Sequence, residues 1–231
     1  MQSLGPNYKA LVIGAHGTIG AALAEQLSID ANCAHVSRLS RATHPDFTLE
    51  SEAGIERCAQ ALANEAPFDL IIDATGALTI DGHGPEKHLG ALDAERLARA
   101  FEINAIGPAL IIKHFAPLLT KERAIFAKLS ARVGSISDNQ KGGWYGYRAA
   151  KAALNMLLQT AAIELQRRRP ETIVVALQPG TVESPLSAPF SRGHDTVTAD
   201  QSASGLLKAI DGLEVLHGAQ FVDYKGQRIA W

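Results

Sequence analysis

The order of apolar segments along the chain constrains its fold more than any other feature. Six apolar runs of strand length recur, separated by longer stretches with apolar residues at helical spacing. The six runs are KALVIGA, AHVSRL, DLIIDATG, RAIFAKLSA, TIVVALQPG and AQFVDY. Strands that alternate with helices form a parallel sheet covered on both faces, and ligands bind beyond the carboxyl ends of its strands. The sequence therefore predicts an α/β fold with a doubly wound parallel sheet.

Size and charge limit the classes of function. The 231 residues contain no linker, which predicts one domain over 1–231 whose N-terminal tail ends at about residues 7–9. A net charge of -2 leaves no basic surface for nucleic acid. The two cysteines lack metal-ligand spacing, which predicts no metal site and fits a reducing compartment. No signal peptide or membrane-length apolar run is present, so we expect a soluble, cytoplasmic protein without a membrane partner.

The first predicted strand ends in a glycine-rich turn, GAHGTIG, and a helical pattern follows directly. Glycines at this place let the backbone approach a pyrophosphate, whose charge then faces the N-terminus of the helix. The position of the turn in an alternating chain favours dinucleotide binding over a plain turn. The predicted cofactor contacts are Gly14, His16, Gly17, Thr18, Ile19 and Gly20.

The end of the second predicted strand bears on the choice of cofactor. An acidic residue here would bind the ribose 2′-hydroxyl, but the sequence reads VSRLSR. The hydroxyls and guanidinium groups of Ser37, Arg38, Ser40 and Arg41 suit a 2′-phosphate instead. This predicts NADP(H) in preference to NAD(H). Asp46 is a candidate acceptor for the adenine amino group, with the start of a turn as the alternative role.

The segment GGWYGYRAAKAALNM contains two tyrosines and one lysine near a predicted helix start. Residues four apart share a helix face, so Tyr147 and Lys151 are neighbours, whereas the glycines nearby place Tyr145 on the incoming loop. A phenol beside an ammonium group has a lowered pKa, which suits a general acid. For this pair alone, an exposed Tyr and Lys on a helix face is the alternative.

Four motifs together resemble the short-chain dehydrogenase/reductase superfamily over nearly the whole chain. They occur in the order of that family: DATGAL, FEINAIGPAL, YRAAK and QPGTVESPL. The segments ARVGSISDNQKGGWYGYRAAKAALNM and FVDYKGQRIAW further resemble the C-factor-like and sniffer-like carbonyl reductase branch. The resemblance implies a single-domain Rossmann fold.

The resemblance also implies roles for individual residues. Tyr147 would protonate a carbonyl oxygen, Lys151 would lower the pKa of Tyr147 and bind the nicotinamide ribose, and Asn104 would bind a water in a proton relay. Further implied cofactor contacts lie in two loops: Ala74, Thr75 and Gly76, and then Pro179, Gly180, Thr181, Val182 and Ser184.

The sequence departs from the family pattern at the usual catalytic serine. Counting back three residues from Gly134 leads to Ala131, which has no hydroxyl. Ser130 and Ser135 are the nearest hydroxyls, and Ser130 is the candidate replacement, although strand alternation points it away from the face of residue 131. Two smaller departures are Thr18 at the usual second glycine and the Asp73–Thr75 turn.

The leading hypothesis is an NADP(H)-dependent reductase of a small ketone or aldehyde, with substrate loops at about 78–90 and 184–199. The second loop, with Pro185, Pro189 and Gly193, is expected to act as a lid. An NADP(H)-binding sensor or signalling protein with weak or lost catalysis is the alternative that Ala131 motivates. A nucleotide-sugar epimerase ranks lower because the chain is short. The family resemblance implies a homodimer or homotetramer.

Overall fold

The six predicted strands form one parallel sheet. We describe a computed structural model for residues 1–184 and 195–231. The strand order is β2-β1-β3-β4-β5-β6, and every neighbouring pair is parallel. The strands are β1 Tyr8–Ile13, β2 Cys33–Leu39, β3 Leu70–Asp73, β4 Ala124–Leu129, β5 Thr172–Gln178 and β6 Gln220–Asp223. The predicted doubly wound α/β fold is thus confirmed.

Helices cover both faces of the sheet. They are α1 Thr18–Ser28, α2 Glu52–Leu62, α3 Ala94–Phe101, α4 Gly107–Phe115, α5 Tyr145–Gln166 and α6 Ala199–Asp211. Apolar residues of α2, α4 and α5 pack on one face of the sheet, and those of α1 and α6 pack on the other. Because both faces are covered, β1, β4 and β5 are almost continuously apolar and buried, whereas the edge strand β2 is largely exposed in its first half.

Some helices have a side-chain cap at the N-terminus and others do not. Ser51 caps α2, Asp93 caps α3, and Thr198 forms a capping box with Gln201 at α6. The first residues of α1 and α5 lack a cap from their own N-cap side chains, which are Gly17 and Trp144. Both of these helix starts follow strands whose carboxyl ends face the candidate site.

Two local features differ from the sequence-based expectation. Helix α5 begins at Tyr145, so this residue is helical and not part of the incoming loop. Trp144 precedes the helix in a left-handed conformation (φ 54°), and Gly142 and Gly143 before it also have positive φ. The long helical pattern after residue 93 is interrupted by one π-helical turn, Glu102–Ile106, between α3 and α4.

Some expectations concern residues that are not described. Pro185, Pro189 and Gly193 of the expected lid lie outside the described ranges. Within those ranges, no helix is long and apolar enough to cross a membrane. The same part of the chain contains no group of three or more His, Cys, Asp or Glu side chains that could hold a metal ion.

Candidate active site

The glycine turn between β1 and α1 is shaped by contacts that only glycine permits. Gly14 has φ +83°, and a Cβ there would lie 3.1 Å from the carbonyl carbon of Ala74. A Cβ on Gly20 would lie 2.2 Å from the carbonyl oxygen of Gly14. Helix α1 therefore packs directly on the turn. Its first turn has no acidic side chain, which leaves its N-terminal amides available to an anion.

A cavity of about 550 Å³, here called the glycine pocket, opens beside this turn. It brings together six predicted cofactor contacts, Gly14, His16, Gly17, Ala74, Thr75 and Gly76, and it is also lined by Ser40, Arg41, Phe47 and Ile103. Thr18 and Gly20 lie behind it, in the first turn of α1. The pocket therefore joins the ends of β1, β2 and β3.

The structure revises the residues that face this pocket from β2. The Ser37 hydroxyl donates to Glu65 at 2.5 Å, and Arg38 lies along α1, where it donates to Ser28 Oγ at 2.9 Å. Asp46 is exposed and pairs with Arg57 at 3.1 Å. None of these three predicted contacts lines the glycine pocket. Ser37 and Arg38 thus bond to Glu65 and Ser28 outside the pocket, whereas Ser40 and Arg41, which follow β2, line it.

Of the four residues predicted to suit a 2′-phosphate, Ser40 and Arg41 line the glycine pocket. Ser40 Oγ lies 2.9 Å from Nδ1 of His16, which links the end of β2 to the glycine turn. Arg41 is exposed, lines the pocket, and makes no hydrogen bond or ion pair with the described residues. An unpaired guanidinium at this position suits a phosphate group.

Asn104 holds the turn after β3 from the side of the π-helical turn. Its side-chain Nδ2 donates to the carbonyl oxygen of Ala77 at 2.9 Å, and its Oδ1 accepts from the backbone amide of Ala77 at 3.1 Å. Asn104 is fully buried. Its side chain is therefore committed to the backbone, and its predicted role in a water relay stays a prediction.

Tyr147 and Lys151 lie on one face of α5, as the four-residue spacing predicts. Lys151 Nζ is 5.7 Å from the centre of the Tyr147 ring and donates to the carbonyl oxygen of Leu129 at 3.3 Å. Burial lowers the pKa of Lys151 to about 7, with a further lowering from the Lys128 cation and an opposing effect of Asp73. Burial raises the pKa of Tyr147 to about 12, whereas the sequence predicts a lowered value. Desolvation of the phenol is the cause of this rise.

The hydroxyls near the missing serine have other partners. Ser130 Oγ donates to Asn155 Oδ1 at 2.7 Å in a buried contact with α5. Ser135 Oγ accepts from the amide of Asp138 at 3.1 Å and stabilises a turn. Ala131 lines the same cavity as Tyr147. The structure thus keeps Ser130 near Tyr147 but engages its hydroxyl elsewhere.

Tyr147 lies between two cavities. The first, here called the tyrosine pocket, measures about 420 Å³. It brings Tyr147 together with seven other predicted site residues: Ile19, Ser130, Pro179, Gly180, Thr181, Val182 and Ser184. Trp144 lines it as well, whereas Tyr145 does not. The second, here called the loop pocket, measures about 380 Å³ and is lined by Tyr147, Asn104 and the 78–86 loop.

Glu86 connects the 78–86 loop to the start of α5. Its carboxylate accepts from the amide of Gly146 at 3.0 Å, and its carbonyl oxygen accepts from the amide of Trp144. Glu86 is largely buried and lines the loop pocket beside Tyr147. A carboxylate at a helix N-terminus is favoured by the helix dipole. Sequence reasoning missed this residue because its partner is 60 positions away.

A buried ion pair lies under the site, and sequence reasoning missed it too. Lys128 on β4 and Asp73 on β3 are register partners, and their charged atoms are 3.1 Å apart. Both side chains are fully buried. The one available signal was a lysine in the otherwise apolar run RAIFAKLSA.

Comparisons with known proteins identify the family of this chain. Residues 20–220 match the family model described as enoyl-(acyl carrier protein) reductase. The chain is 30% identical over 231 residues to 1-hydroxy-2-glutathionyl-2-methyl-3-butene dehydrogenase of Rhodococcus sp. (strain AD45), and the match covers 96% of this chain and 98% of that protein. The chain belongs to the short-chain dehydrogenase/reductase family. It is thus an NAD(P)-dependent oxidoreductase by family.

Other relatives extend the comparison. The chain is 36% identical over 168 residues to C-signal of Myxococcus xanthus, covering 71% of this chain and 93% of that protein. NADPH-bound carbonyl reductase from chicken fatty liver superposes with a TM-score of 0.83 at 22% identity, over 98% of this chain and 95% of the other. Carbonyl reductase Sniffer of Drosophila melanogaster gives 0.81 at 20% identity, over 98% and 100%. At these identities the two structures show the shared fold.

Proposed function

We propose that the protein is an NADP(H)-dependent reductase of ketones or aldehydes in which Tyr147 donates the proton to the carbonyl oxygen. The observation that carries this proposal is the position of Tyr147 at the tyrosine pocket, one helical turn from the buried Lys151. The raised pKa keeps the phenol protonated at neutral pH, so Tyr147 holds the proton that it would donate, and it also makes Tyr147 a weaker acid than the sequence predicts. The family membership and the carbonyl reductases of the same fold support this proposal.

The residues present fit a nicotinamide dinucleotide. The close approach of Gly14 and Gly20 leaves the glycine pocket open where a pyrophosphate would meet the start of α1. His16, Ser40 and Arg41 would hold a 2′-phosphate, and this set is the basis for preferring NADP(H). The loop 179–184 would hold the nicotinamide end, which supplies a hydride when bound.

Tyr147 would donate its proton without the hydroxyl of the usual serine, because that position is Ala131. Ser130 stays the predicted second hydroxyl, and its use requires the bond to Asn155 to break. Removing one such donor costs about a hundredfold to a thousandfold in rate. We therefore expect a slow reductase in which Tyr147 makes the main hydrogen bond to the carbonyl oxygen.

Two observations favour a second candidate function, an NADP(H)-binding sensor or signalling protein. Ala131 lacks a hydroxyl and Ser130 is engaged by Asn155, which weakens the case for efficient catalysis. The similarity to C-signal is compatible with this function.

Product analysis distinguishes the two candidates. The protein would be incubated with NADPH and a panel of quinones, α-dicarbonyls, aldehydes and cyclic ketones, and the products would be identified by mass spectrometry. A reductase converts at least one carbonyl to its alcohol, and Ala131→Ser increases the rate. NADPH binding without any product would instead favour the sensor.

The homo-oligomeric state and the cytoplasmic location remain predictions. The exposed Leu157 lines the 780 Å³ groove between α4 and α5, and the adjacent Met156 is exposed as well, which suits a contact between helices of two copies. Light scattering after size exclusion would show a dimer or tetramer, and a monomeric mass would contradict the expectation.

A further inference from the structure

The buried charges beneath the candidate site form one connected group. Lys128 Nζ donates to the carbonyl oxygen of Thr75 at 2.6 Å and lies 3.1 Å from Asp73 Oδ1. The same Asp73 oxygen accepts from the Thr75 amide at 2.8 Å and from the Thr75 hydroxyl at 2.6 Å. The pair therefore fixes the first residues of the turn that follows β3.

Lys151 lies on the other side of this turn. A Cβ built on Gly76 would lie 3.4 Å from Lys151 Nζ and 3.1 Å from Asn104 Oδ1, so the turn passes directly against the lysine. Lys151 also donates to the carbonyl oxygen of Leu129, the residue after Lys128. The two ammonium groups thus flank the same short segment of backbone.

Three titratable groups face Lys151 from the elements packed around it. Lys128 faces it from β4, Asp73 from β3, and Tyr147 from its own helix. Buried charges interact strongly because little water screens them. A cation beside Lys151 disfavours its charged form, and a carboxylate favours it. The two members of the ion pair should therefore act on Lys151 in opposite directions.

We propose that Asp73 and Lys128 are positioning residues that hold the 73–77 turn against Lys151 and set the balance between its charged and neutral forms. Lys128 favours the neutral amine, and Asp73 favours the ammonium. The pair thereby controls how much positive charge lies beside Tyr147 at neutral pH. This last link rests on the proposed reductase function, whereas the effect on Lys151 does not.

The lowered pKa of Lys151 supports the proposal. Burial is the largest cause, Lys128 adds to it, and Asp73 opposes it. Removing the charge of Lys128 should raise the pKa of Lys151, and removing the charge of Asp73 should lower it. A residue that only supports the fold would not produce opposite shifts.

The test is an NMR titration of ε-¹⁵N-labelled lysines in the protein without cofactor, with Lys151 assigned by the Lys151→Met variant. Lys128→Met should raise the titration midpoint of Lys151 by about one pH unit or more, and Asp73→Asn should lower it. Lys128→Arg, which keeps the charge, should leave the midpoint near that of the unaltered protein. Unchanged midpoints, or shifts in the same direction for both charge-removing variants, would overturn the proposal.

A double variant covers the case in which a single variant does not fold. Asp73→Asn with Lys128→Met leaves no unpaired buried charge, and circular dichroism would verify its fold. Because the two charges act in opposite directions, the midpoint of the double variant should lie below that of Lys128→Met and above that of Asp73→Asn. A midpoint on the wrong side of either folded single variant would overturn the proposal. Since this readout needs no turnover, it holds even if no carbonyl substrate is found.

Discussion

Two turns at the carboxyl edge of the sheet lie side by side and are built by different means. The turn after β1 is a backbone structure, in which Gly14 and Gly20 permit contacts that any side chain would block. The turn after β3 is held by charge, through Asp73 and Lys128. The strands that carry them are register partners, since Ile13 pairs with Asp73. Both turns line the glycine pocket.

The difference shows that close backbone packing and a buried ion pair can each hold a turn of the same site. In the first turn the amides of Gly14, Ala15 and Gly17 donate to backbone carbonyl oxygens, and the amides left for a ligand are those at the start of α1, where no acidic side chain lies. In the second turn Asp73 and Thr75 hydrogen-bond to each other, and the charges of Asp73 and Lys128 affect the pKa of the neighbouring Lys151. The first turn should therefore respond to added volume, and the second to lost charge.

The largest effect on stability is expected at the second turn. Asp73→Ala leaves the Lys128 ammonium buried without its partner, which should lower the free energy of unfolding by about 3–5 kcal/mol. Urea denaturation would measure the loss. Asp46→Ala is the matched control, because its ion pair with Arg57 is exposed and should contribute at most about 1 kcal/mol. Equal losses in the two variants would show that the buried pair does not hold the fold.

A smaller loss is expected from added volume at the first turn. Gly20→Ala would place a Cβ against the carbonyl oxygen of Gly14, and the required shift should cost about 1–3 kcal/mol. Gly212→Ala provides the control, since its Cβ would meet its nearest neighbour at 3.6 Å. Thermal unfolding of the two variants checks the difference. Equal melting temperatures for Gly20→Ala and Gly212→Ala would show that the close packing of Gly20 on Gly14 does not limit stability.

The third prediction concerns the affinity for NADPH and NADH at the glycine pocket. Arg41→Ala should weaken NADPH binding about tenfold to a hundredfold and leave NADH binding unchanged, because only NADPH carries the 2′-phosphate. Fluorescence titration with both cofactors measures this. Arg38→Ala should have little effect on either, since Arg38 lies along α1. A stronger effect of Arg38→Ala would restore the assignment made from the sequence.

The sequence was sufficient to predict the first turn and most of the fold. Apolar periodicity identified all six strands found in residues 1–184 and 195–231, and spacing of four residues paired Tyr147 with Lys151. These features depend on residues close together along the chain. The glycine turn is likewise contained within seven residues.

What the sequence could not predict depends on register and side-chain direction. The Asp73–Lys128 pair exists because β3 and β4 align those positions, which are 55 residues apart. Arg38 and Arg41 look equivalent in VSRLSR, yet one lies along α1 and the other faces the pocket. The raised pKa of Tyr147 depends on burial that no spacing shows.

The central claim is that Tyr147 donates the proton in carbonyl reduction, and one rate comparison tests it most directly. NADPH oxidation would be followed with the best carbonyl substrate from the panel, for the unaltered protein, Tyr147→Phe and Tyr145→Phe. We predict a loss of about a hundredfold or more for Tyr147→Phe, and a rate within a few fold of the unaltered protein for Tyr145→Phe, which lies outside both pockets beside Tyr147. Full activity of folded, NADPH-binding Tyr147→Phe would contradict the account.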